Sequence, residues 1–455
     1  MNIHLIAIGG AVMHNLAIAL KKKGHTVTGS DDEIFDPSLS RLKKYGLLPP
    51  EWGWFPEKIT NNTDAVILGM HARKDNPELQ KANALGVKVY SFPEYVYEQT
   101  KHKTRIVIGG SHGKTTITSM IMYVMQRVGK KFDYLVGSSI PGFETMVNLS
   151  DDSQYAVIEG DEYLSSPLDR RPKFHHYKPH LAILSGISWD HINVFPTFEN
   201  YVSQFEIFIN SIEEGGALFY FSGDKELQHL AETTKNTITK TGYDTHPFVL
   251  GNNQLVLKTA DGGKIPLAIF GKHNLQNLEA AHLVCNCIGI SDAEFYEHIS
   301  SFTGAGRRLQ KLKETSQSVF FYDFAHSPSK LKATTVSLKE QFPARNLIAC
   351  FELHTFSSLN KDFLPQYAHA MDSADVAVVY FNEHTLEHKK LPPITVDDVK
   401  NGFSNKNLKV FTDRNEMIRF LKKLDKTNST ILMMSSGNFS GIDMQKLANL
   451  FLKDL

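Results

Sequence analysis

At 455 residues the chain has room for roughly two to four domains, each able to bury a core of its own. Its 49 Lys and Arg balance 49 Asp and Glu, and no basic tract is interleaved with aromatics, so neither nucleic acid nor membrane insertion is expected. Cys285, Cys287 and Cys350 make neither a disulfide framework nor a metal cluster, and their apolar flanks point to buried thiols in a reducing compartment, the cytoplasm.

From the N-terminus, Ile3 to Ile8 reads as a buried strand, Gly9 and Gly10 as a tight turn, and Ala11 to Lys23 as a helix ended by Gly24. This apolar run is broken by His4, His14 and Asn15 and follows no basic stretch, which argues against a signal peptide. Thr26 to Asp31 is a second strand that ends in a carboxylate, completing a strand-helix-strand nucleotide-type unit. Ala7 and His14 stand where a dinucleotide fingerprint would want glycine, so NAD is not the expected ligand. A further strand, Ala65 to Gly69, precedes His71 and the basic residues after it, then a helix and the strand Lys88 to Ser91. The polar segment Gln99 to Lys103 reads as a linker.

The stretch Ile106 to Ile117 places a β-branched strand before a turn of Gly109, Gly110, Ser111, His112 and Gly113. Lys114, Thr115 and Thr116 then open an amphipathic helix. This is a phosphate cradle: backbone N–H groups and the helix N-terminus surround an anion, Lys114 neutralises phosphate oxygens, and the Thr115 hydroxyl is placed to ligate Mg²⁺. ATP is the expected ligand. The turn is tighter by one residue than the usual phosphate loop, because Ile108 stands where the first glycine would fall.

Tyr155 to Glu159 is a strand that ends in the acidic set Glu159, Asp161 and Glu162, the arrangement by which such proteins supply a second metal contact. Leu181 to Leu184 is another strand, followed by Ser188, Trp189, Asp190 and His191. Alone, His191 would be an ordinary packed or surface histidine; the coincidence of Thr115, Glu159 and His191 at successive strand ends points to a metal site. Residues 217–270 read as short β segments with Gly and Asn turns. A helix then starts near Phe270, with Asn274 and Asn277 on one face as candidates for an adenine edge, capping being the alternative for Asn274.

A third region starts near Ser301. Arg307 and Arg308 precede the strand Val319 to Tyr322, which runs into Asp323 and His326. Strands at Asn346 to Phe351, Val376 to Tyr380, Lys409 to Phe411 and Thr430 to Met434 alternate with helical stretches, implying another parallel sheet. The Arg pair reads either as a solvated linker or as an arginine that swings onto a triphosphate.

Together these motifs resemble the Mur ligase family along essentially the whole chain: Gly110 to Thr116 its ATP loop, Glu159 to Glu162 its acidic motif, Asp190 and His191 its second-metal motif, and Gly271 to Asn277 its adenine-binding helix start. Arg307, Arg308 and Asp323 to His326 resemble the C-terminal motifs. The resemblance implies an α/β fold of three domains: an N-terminal Rossmann-like UDP-binding domain (1–102), a central P-loop ATPase-type domain (103–300) and a C-terminal Rossmann-like domain (301–455) that closes on ATP.

It also implies an ATP- and Mg²⁺-dependent ligase that acts on UDP-N-acetylmuramate through an acyl phosphate. Lys114, Glu159, His191 and Arg308 would be catalytic, and Thr115, Glu159 and His191 would hold metal. Asn274, Asn277, Arg308, Asp323 and His326 would contact ATP beside the loop Gly110, Ser111, His112, Gly113, Lys114, Thr115 and Thr116. Gly10, Ser30, Asp31, His71 and Asn76 would contact the UDP-sugar, a basic surface loop being the plainer reading of His71. Glu206 lies near the position where some members carry a carbamylated lysine, with a solvated helix face as its other reading.

Within the family, Asp161 to Tyr163, Leu168 to Tyr177 and Met434 to Ile442 resemble the branch that adds a murein tripeptide. The sister branch adds L-alanine. Glu352, Leu353 and His354 stand where the tripeptide branch tends to have Glu-Pro-Arg, so His354 would be a weaker, pH-sensitive carboxylate clamp. A monomer or weak homodimer is expected. A nucleotide-binding regulator without ligation is the alternative from another class, disfavoured by retention of the charged motif residues.

Overall fold

The computed structural model describes residues 1–70, 72–189, 194–251 and 254–453. Two compact units emerge: Met1–Ile187 with Phe198–Asp244 and Asn277–Ile299, and Ser188–Thr197 with Thr245–Gln276 and Ser300–Leu455.

The first unit holds two sheets. One is four-stranded and wholly parallel, in the order Thr26–Ser30, Asn2–Ile6, Ala65–Leu68, Lys88–Ser91. All of Ala65–Leu68 is buried, as expected of a parallel strand covered on both faces. The first strand stops at Ile6, short of the expected Ile8, because Ala7 turns to a φ of 65° and both Ala7 and Ile8 donate their N–H to the Ser30 carbonyl. The helix that follows is Met13–Lys22. Strand order reverses between Asn2–Ile6 and Ala65–Leu68, which opens a crevice at their carboxyl ends.

The segment read as a linker is ordered. Gln99 and Thr100 close the helix Phe92–Thr100, which a Ser91/Glu94 capping box starts. The carbonyls of Thr100, Lys101 and Lys103 all accept from Arg105, a fully buried guanidinium that also reaches Tyr177 O, Lys178 O and Glu213. Five carbonyls and a carboxylate satisfy a charge that burial alone would make costly.

The second sheet has seven strands, in the order Thr239–Tyr243, Ala217–Phe221, Leu181–Leu184, Thr104–Gly109, Tyr155–Glu159, Phe132–Leu135, Val147–Asn148, parallel except for the last pair. Ile108 lies opposite Glu159 and Gly109 opposite Leu184, so three loops leave one sheet edge side by side. The region read as uniformly short β divides. Ala217–Phe221 and Thr239–Tyr243 join this parallel sheet around the helix Lys225–Thr233, whereas Phe248–Gly251, Gln254–Lys258 and Lys264–Pro266 form a separate antiparallel sheet in the second unit.

The second unit's main sheet runs Gln310–Glu314, Val319–Asp323, Ser429–Met434, Asn346–Glu352, Val376–Tyr380, Lys409–Phe411, parallel except for its first strand. Alternate residues feed two cores. Val319, Phe321, Ala349, Phe351, Leu432 and Met434 pack on one face, and Phe320, Tyr322, Ile348, Cys350, Ile431 and Met433 on the other. Both faces are covered, giving the doubly wound architecture expected. Cys285 and Cys350 are buried, but Cys287, at the end of helix Lys272–Cys287, is exposed, against expectation. Among the described residues no helix is long and apolar enough to cross a membrane.

Candidate active site

The strand Thr104–Gly109 delivers a glycine turn to the centre of its sheet, and the helix Lys114–Arg127 leaves from it. Two of the glycines are required by their surroundings. A Cβ on Gly110 (φ 113°) would lie 2.5 Å from Ser185 Oγ, and one on Gly113 (φ 74°) would lie 2.2 Å from Asn277 Oδ1. Gly113→Ala is therefore expected to cost about 1–3 kcal/mol in backbone strain and to weaken binding of an ATP analogue at least about tenfold. Thermal melting and nucleotide titration test this; wild-type values in both would show that the turn tolerates a side chain.

The turn is braced from the next strand. Ser111 N–H donates to Gly186 O at 2.9 Å, and the Ser185 hydroxyl donates to the His112 carbonyl. Ser111 Oγ lies 2.9 Å from the Tyr201 hydroxyl, and both side chains are buried. Thr115 and Thr116 are buried in the first helical turn.

Lys114 Nζ donates to Gly110 O at 2.7 Å and to Glu162 Oε2 at 2.6 Å. Burial pulls its pKa down, but Glu162, Asp161 and Glu159 outweigh that and raise it, so the ammonium is charged throughout the physiological range. Glu159 sits beside it. Its Oε1 accepts from the Thr115 hydroxyl at 2.7 Å and its Oε2 from Gly137 N–H at 2.7 Å. Burial first, then the Asp161 charge, raise the Glu159 pKa against those hydrogen bonds and Lys114. A buried carboxylate held above its ordinary range, in contact with a hydroxyl, gains most from a hard cation. His191, the third candidate ligand, lies outside the described residues. Glu206 is exposed on the helix Phe198–Asn210; from that helix Tyr201 reaches the loop, and its hydroxyl also donates to Glu162 at 3.4 Å.

Asn277 is buried against Gly113 of the loop. The Asn274 amide instead donates to the Phe270 carbonyl at 2.8 Å, a local contact at the helix start.

The crevice of the four-stranded sheet holds a cavity of about 250 Å³ lined by Gly10, Val12, Met13, Met70, Phe92 and Lys173, among others. Ser30, Asp31 and Asn76 do not line it. Ser30 is buried and accepts from Lys58 Nζ at 3.0 Å. Asp31 Oδ2 accepts from Gly9 N–H at 2.7 Å and so fixes the turn. Asn76 caps the helix Pro77–Ala84 through Glu78 N–H and Leu79 N–H. His71 lies outside the described residues.

In the second unit, Asp323 is buried and accepts from Leu309 N–H at 2.5 Å and Ala325 N–H at 2.7 Å, ordering the turns on either side of its strand. The Arg308 guanidinium lies 4.6 Å from the Phe324 ring centre, and His326 Nδ1 lies 2.9 Å from Phe324 O. Arg307 donates to Ser435 O and Gly437 O at 2.9 and 2.6 Å. Glu352 is buried and accepts from the Ser435 hydroxyl and from Phe439 N–H at 2.8 Å, so the loop after Ser429–Met434 is tied to the end of the strand Asn346–Glu352, just before His354.

Sequence reading missed Tyr201, Ser185, Gly137 and the cavity-lining role of Lys173. Only Ser185 carried a signal, following directly on an apolar strand.

Three family models cover most of the chain: the Mur ligase family catalytic domain over residues 2–104, the Mur ligase middle domain over 108–285 and the Mur ligase glutamate ligase domain over 307–437. A UDP-N-acetylmuramate--L-alanine ligase of Lactobacillus acidophilus is 32% identical over 394 residues, 83% of this chain and 85% of the relative. The UDP-N-acetylmuramate--L-alanyl-gamma-D-glutamyl-meso-2,6-diaminoheptandioate ligase of Haemophilus influenzae is 26% identical across 99% of this chain and all (100%) of its own. The crystal structure of a murein peptide ligase from Psychrobacter arcticus superposes with a TM-score of 0.70 over 99% of both chains, at 24% identity, sharing the fold. With its phosphate loop, acidic strand end and doubly wound sheets all matched by these models, the chain belongs to the Mur ligase family, as an ATP-dependent ligase of peptidoglycan precursors.

Proposed function

We propose that this enzyme joins L-alanyl-γ-D-glutamyl-meso-diaminopimelate to UDP-N-acetylmuramate in the cytoplasm, for peptidoglycan recycling. Residues 1–102 would receive the UDP-sugar, 103–300 the ATP and 301–455 the peptide. The observation that carries the choice of peptide is a set of cations near the loops of the second unit: the charges of Lys389 and Arg307 act on His354 against that of the buried Glu352, and Arg414 Nη1 donates to Ser440 O in the adjoining loop at 2.6 Å. A peptide with several carboxylates matches such a field, whereas L-alanine brings a single one. The likeness of Asp161 to Tyr163 and of Leu168 to Tyr177 to the tripeptide branch supports the same choice.

Amide formation requires that a carboxylate oxygen first become a leaving group. The lactyl carboxylate of the UDP-sugar takes the γ-phosphoryl group of ATP; an O–P bond forms as the bond to ADP breaks. The peptide amine then attacks the carbonyl carbon, losing a proton, and phosphate departs. Lys114 and Arg308 offset charge on the phosphoryl oxygens. Thr115 and Glu159, together with His191, would hold Mg²⁺: the Thr115 hydroxyl and the Glu159 carboxylate already touch, and burial and the Asp161 charge raise the Glu159 pKa, a cost that a cation would relieve. The chemistry that Mg²⁺ would supply there is neutralisation of phosphate charge.

The test supplies UDP-N-acetylmuramate, ATP and Mg²⁺ with either tripeptide or L-alanine, reading phosphate release and product mass. Tripeptide should give a kcat/KM at least about a hundredfold higher. Efficient use of L-alanine with none of the tripeptide would overturn this reading in favour of the sister activity.

The surroundings of His354 set the pH range in which it could act as a clamp. Burial is the first cause that depresses its pKa below 6.5; Glu352 opposes this, and Lys389 and Arg307 add to it. With the folded pKa below the ordinary one, the imidazole is mostly neutral above 6.5 and gains its charge mainly under more acidic conditions. Peptide KM should therefore be flat as pH rises from 6.5, and any tightening should be confined to lower pH and be abolished in His354→Gln. A peptide KM that rises steeply through neutral pH in the wild type alone would restore the cationic clamp.

A further inference from the structure

The cavity at the crevice of the four-stranded sheet takes its walls from segments far apart in the chain. One wall is the turn and first helical turn at Gly10, Val12 and Met13; another is Ser165 and Lys173, which follow the acidic loop. Among the described residues that line it, Lys173 is the charged one, and its side chain is 17% exposed. An ammonium set against a largely apolar wall needs anionic or polar partners, and Asp161 supplies only one of the three that its N–H groups can take.

Its backbone is fixed in advance. Lys173 N–H donates to Tyr163 O at 2.9 Å, Phe174 N–H to Asp161 O at 3.1 Å, and Ser165 N–H to Arg171 O at 3.0 Å, closing the excursion into a tight hairpin. Arg171 pins the hairpin to the helix Phe92–Thr100, reaching Asp169 at 2.7 Å and Glu94 at 3.4 Å. Since that guanidinium already neutralises both carboxylates, the nearby Glu94, Asp169 and His176 group serves as a brace rather than as a cation site. Phe174, fully buried, stacks on Phe208 at 4.6 Å and anchors the next position.

We infer that Lys173 binds the diphosphate of the UDP-sugar from the wall opposite the Met13–Lys22 helix, making this cavity a joint site of the matched catalytic-domain and middle-domain segments. The inference rests on the reading that UDP-N-acetylmuramate is the substrate. A diphosphate presents oxygens in two directions, which suits a helix N-terminus on one side and an ammonium on the other. The cavity, smaller than the ~300–1,000 Å³ of whole-ligand pockets, takes that part of the substrate and not all of it. Asp161 Oδ2, 3.0 Å away, uses one of the three N–H donors of Lys173 and aims the ammonium while the others serve the phosphate oxygens. The same bond links the sugar site to the acidic loop that carries Glu159.

The experiment compares wild type, Lys173→Met and Lys173→Arg for KM of UDP-N-acetylmuramate, KM of ATP, kcat, melting temperature, and inhibition by UDP and by uridine. Lys173→Met should raise both the UDP-N-acetylmuramate KM and the UDP inhibition constant by about tenfold to a hundredfold, the span of a hydrogen bond to a charged group. ATP KM, kcat and uridine affinity should stay within about twofold, and Lys173→Arg should recover most of the loss. An unchanged UDP-N-acetylmuramate KM with a lowered melting temperature would reduce Lys173 to a structural partner of Asp161 and overturn the inference. A raised KM with unchanged UDP inhibition would also overturn it, moving the contact to the lactyl carboxylate that UDP lacks. Failure of the wild type to release phosphate with UDP-N-acetylmuramate and any amine would instead remove the functional reading, an outcome that UDP binding measures separately.

Discussion

Lys114→Ala is expected to lower kcat/KM for ATP by about a thousandfold, close to the upper range for removing one preorganised donor from a transferring group. The ammonium is partly exposed at the rim of the turn and held at 2.7 Å from Gly110 O and 2.6 Å from Glu162, ready to pass from carboxylate to phosphate. Its raised pKa means that the charge is retained through neutral pH; the stabilisation from its ion pair is fully present below the ordinary value of 10.5 and is lost as pH rises through the higher folded pKa. Removing Lys114 also takes the ion-pair partner from Glu162, which is 4% exposed, so some loss of stability accompanies the single change. The double variant Lys114→Ala with Glu162→Gln separates the effects: melting should recover while activity stays low. Wild-type turnover by the single variant, or recovery of activity by the double one, would mean that the loop does not handle the transferred phosphate.

The phosphate loop was legible because its chemistry is written into adjacent residues: a strand, glycines where a Cβ would strike Ser185 or Asn277, then Lys and Thr at a helix start. Thr115 and Glu159 were also legible, since each ends or follows an apolar strand and parallel pairing places such ends together. What could not be read depends on long-range packing. Tyr201 reaches Ser111 and Glu162 from a helix that shows only an apolar stripe. Lys173 looks like any lysine in a basic run until the hairpin turns it toward a cavity. Asn76 shows the opposite difficulty: a carboxamide before Pro77 suits both a ligand and a helix cap, and here its oxygen is taken by Glu78 N–H and Leu79 N–H. The polar segment at 99–103 resembled a linker because the residue that orders it, Arg105, lies in the following strand and acts on carbonyls, which carry no sequence signature.

Glu159→Gln should abolish most activity while leaving the fold as stable as wild type or slightly more so. The amide keeps the shape of the carboxylate; its oxygen can still accept from Gly137 N–H, and the Thr115 hydroxyl can turn to accept from its NH₂. Stability should not fall, because a carboxylate whose folded pKa is raised disfavours the folded state at pH above its ordinary value, and the neutral amide removes that cost. Cation affinity should fall, since proteins hold Mg²⁺ chiefly through one or two carboxylates and the remaining hydroxyl is neutral. At fixed Mg²⁺ the rate should drop by about a hundredfold or more, and the Mg²⁺ concentration for half-maximal rate should climb. Proton and metal compete for the same oxygen, so the wild-type Mg²⁺ requirement should steepen as pH falls toward the raised Glu159 pKa. That pH dependence should vanish in the variant. Melting curves, Mg²⁺ titrations and their pH series decide the matter together: an unchanged Mg²⁺ titration would exclude Glu159 as a ligand, and a large loss of stability would mean that its charge serves the fold and not the phosphoryl group.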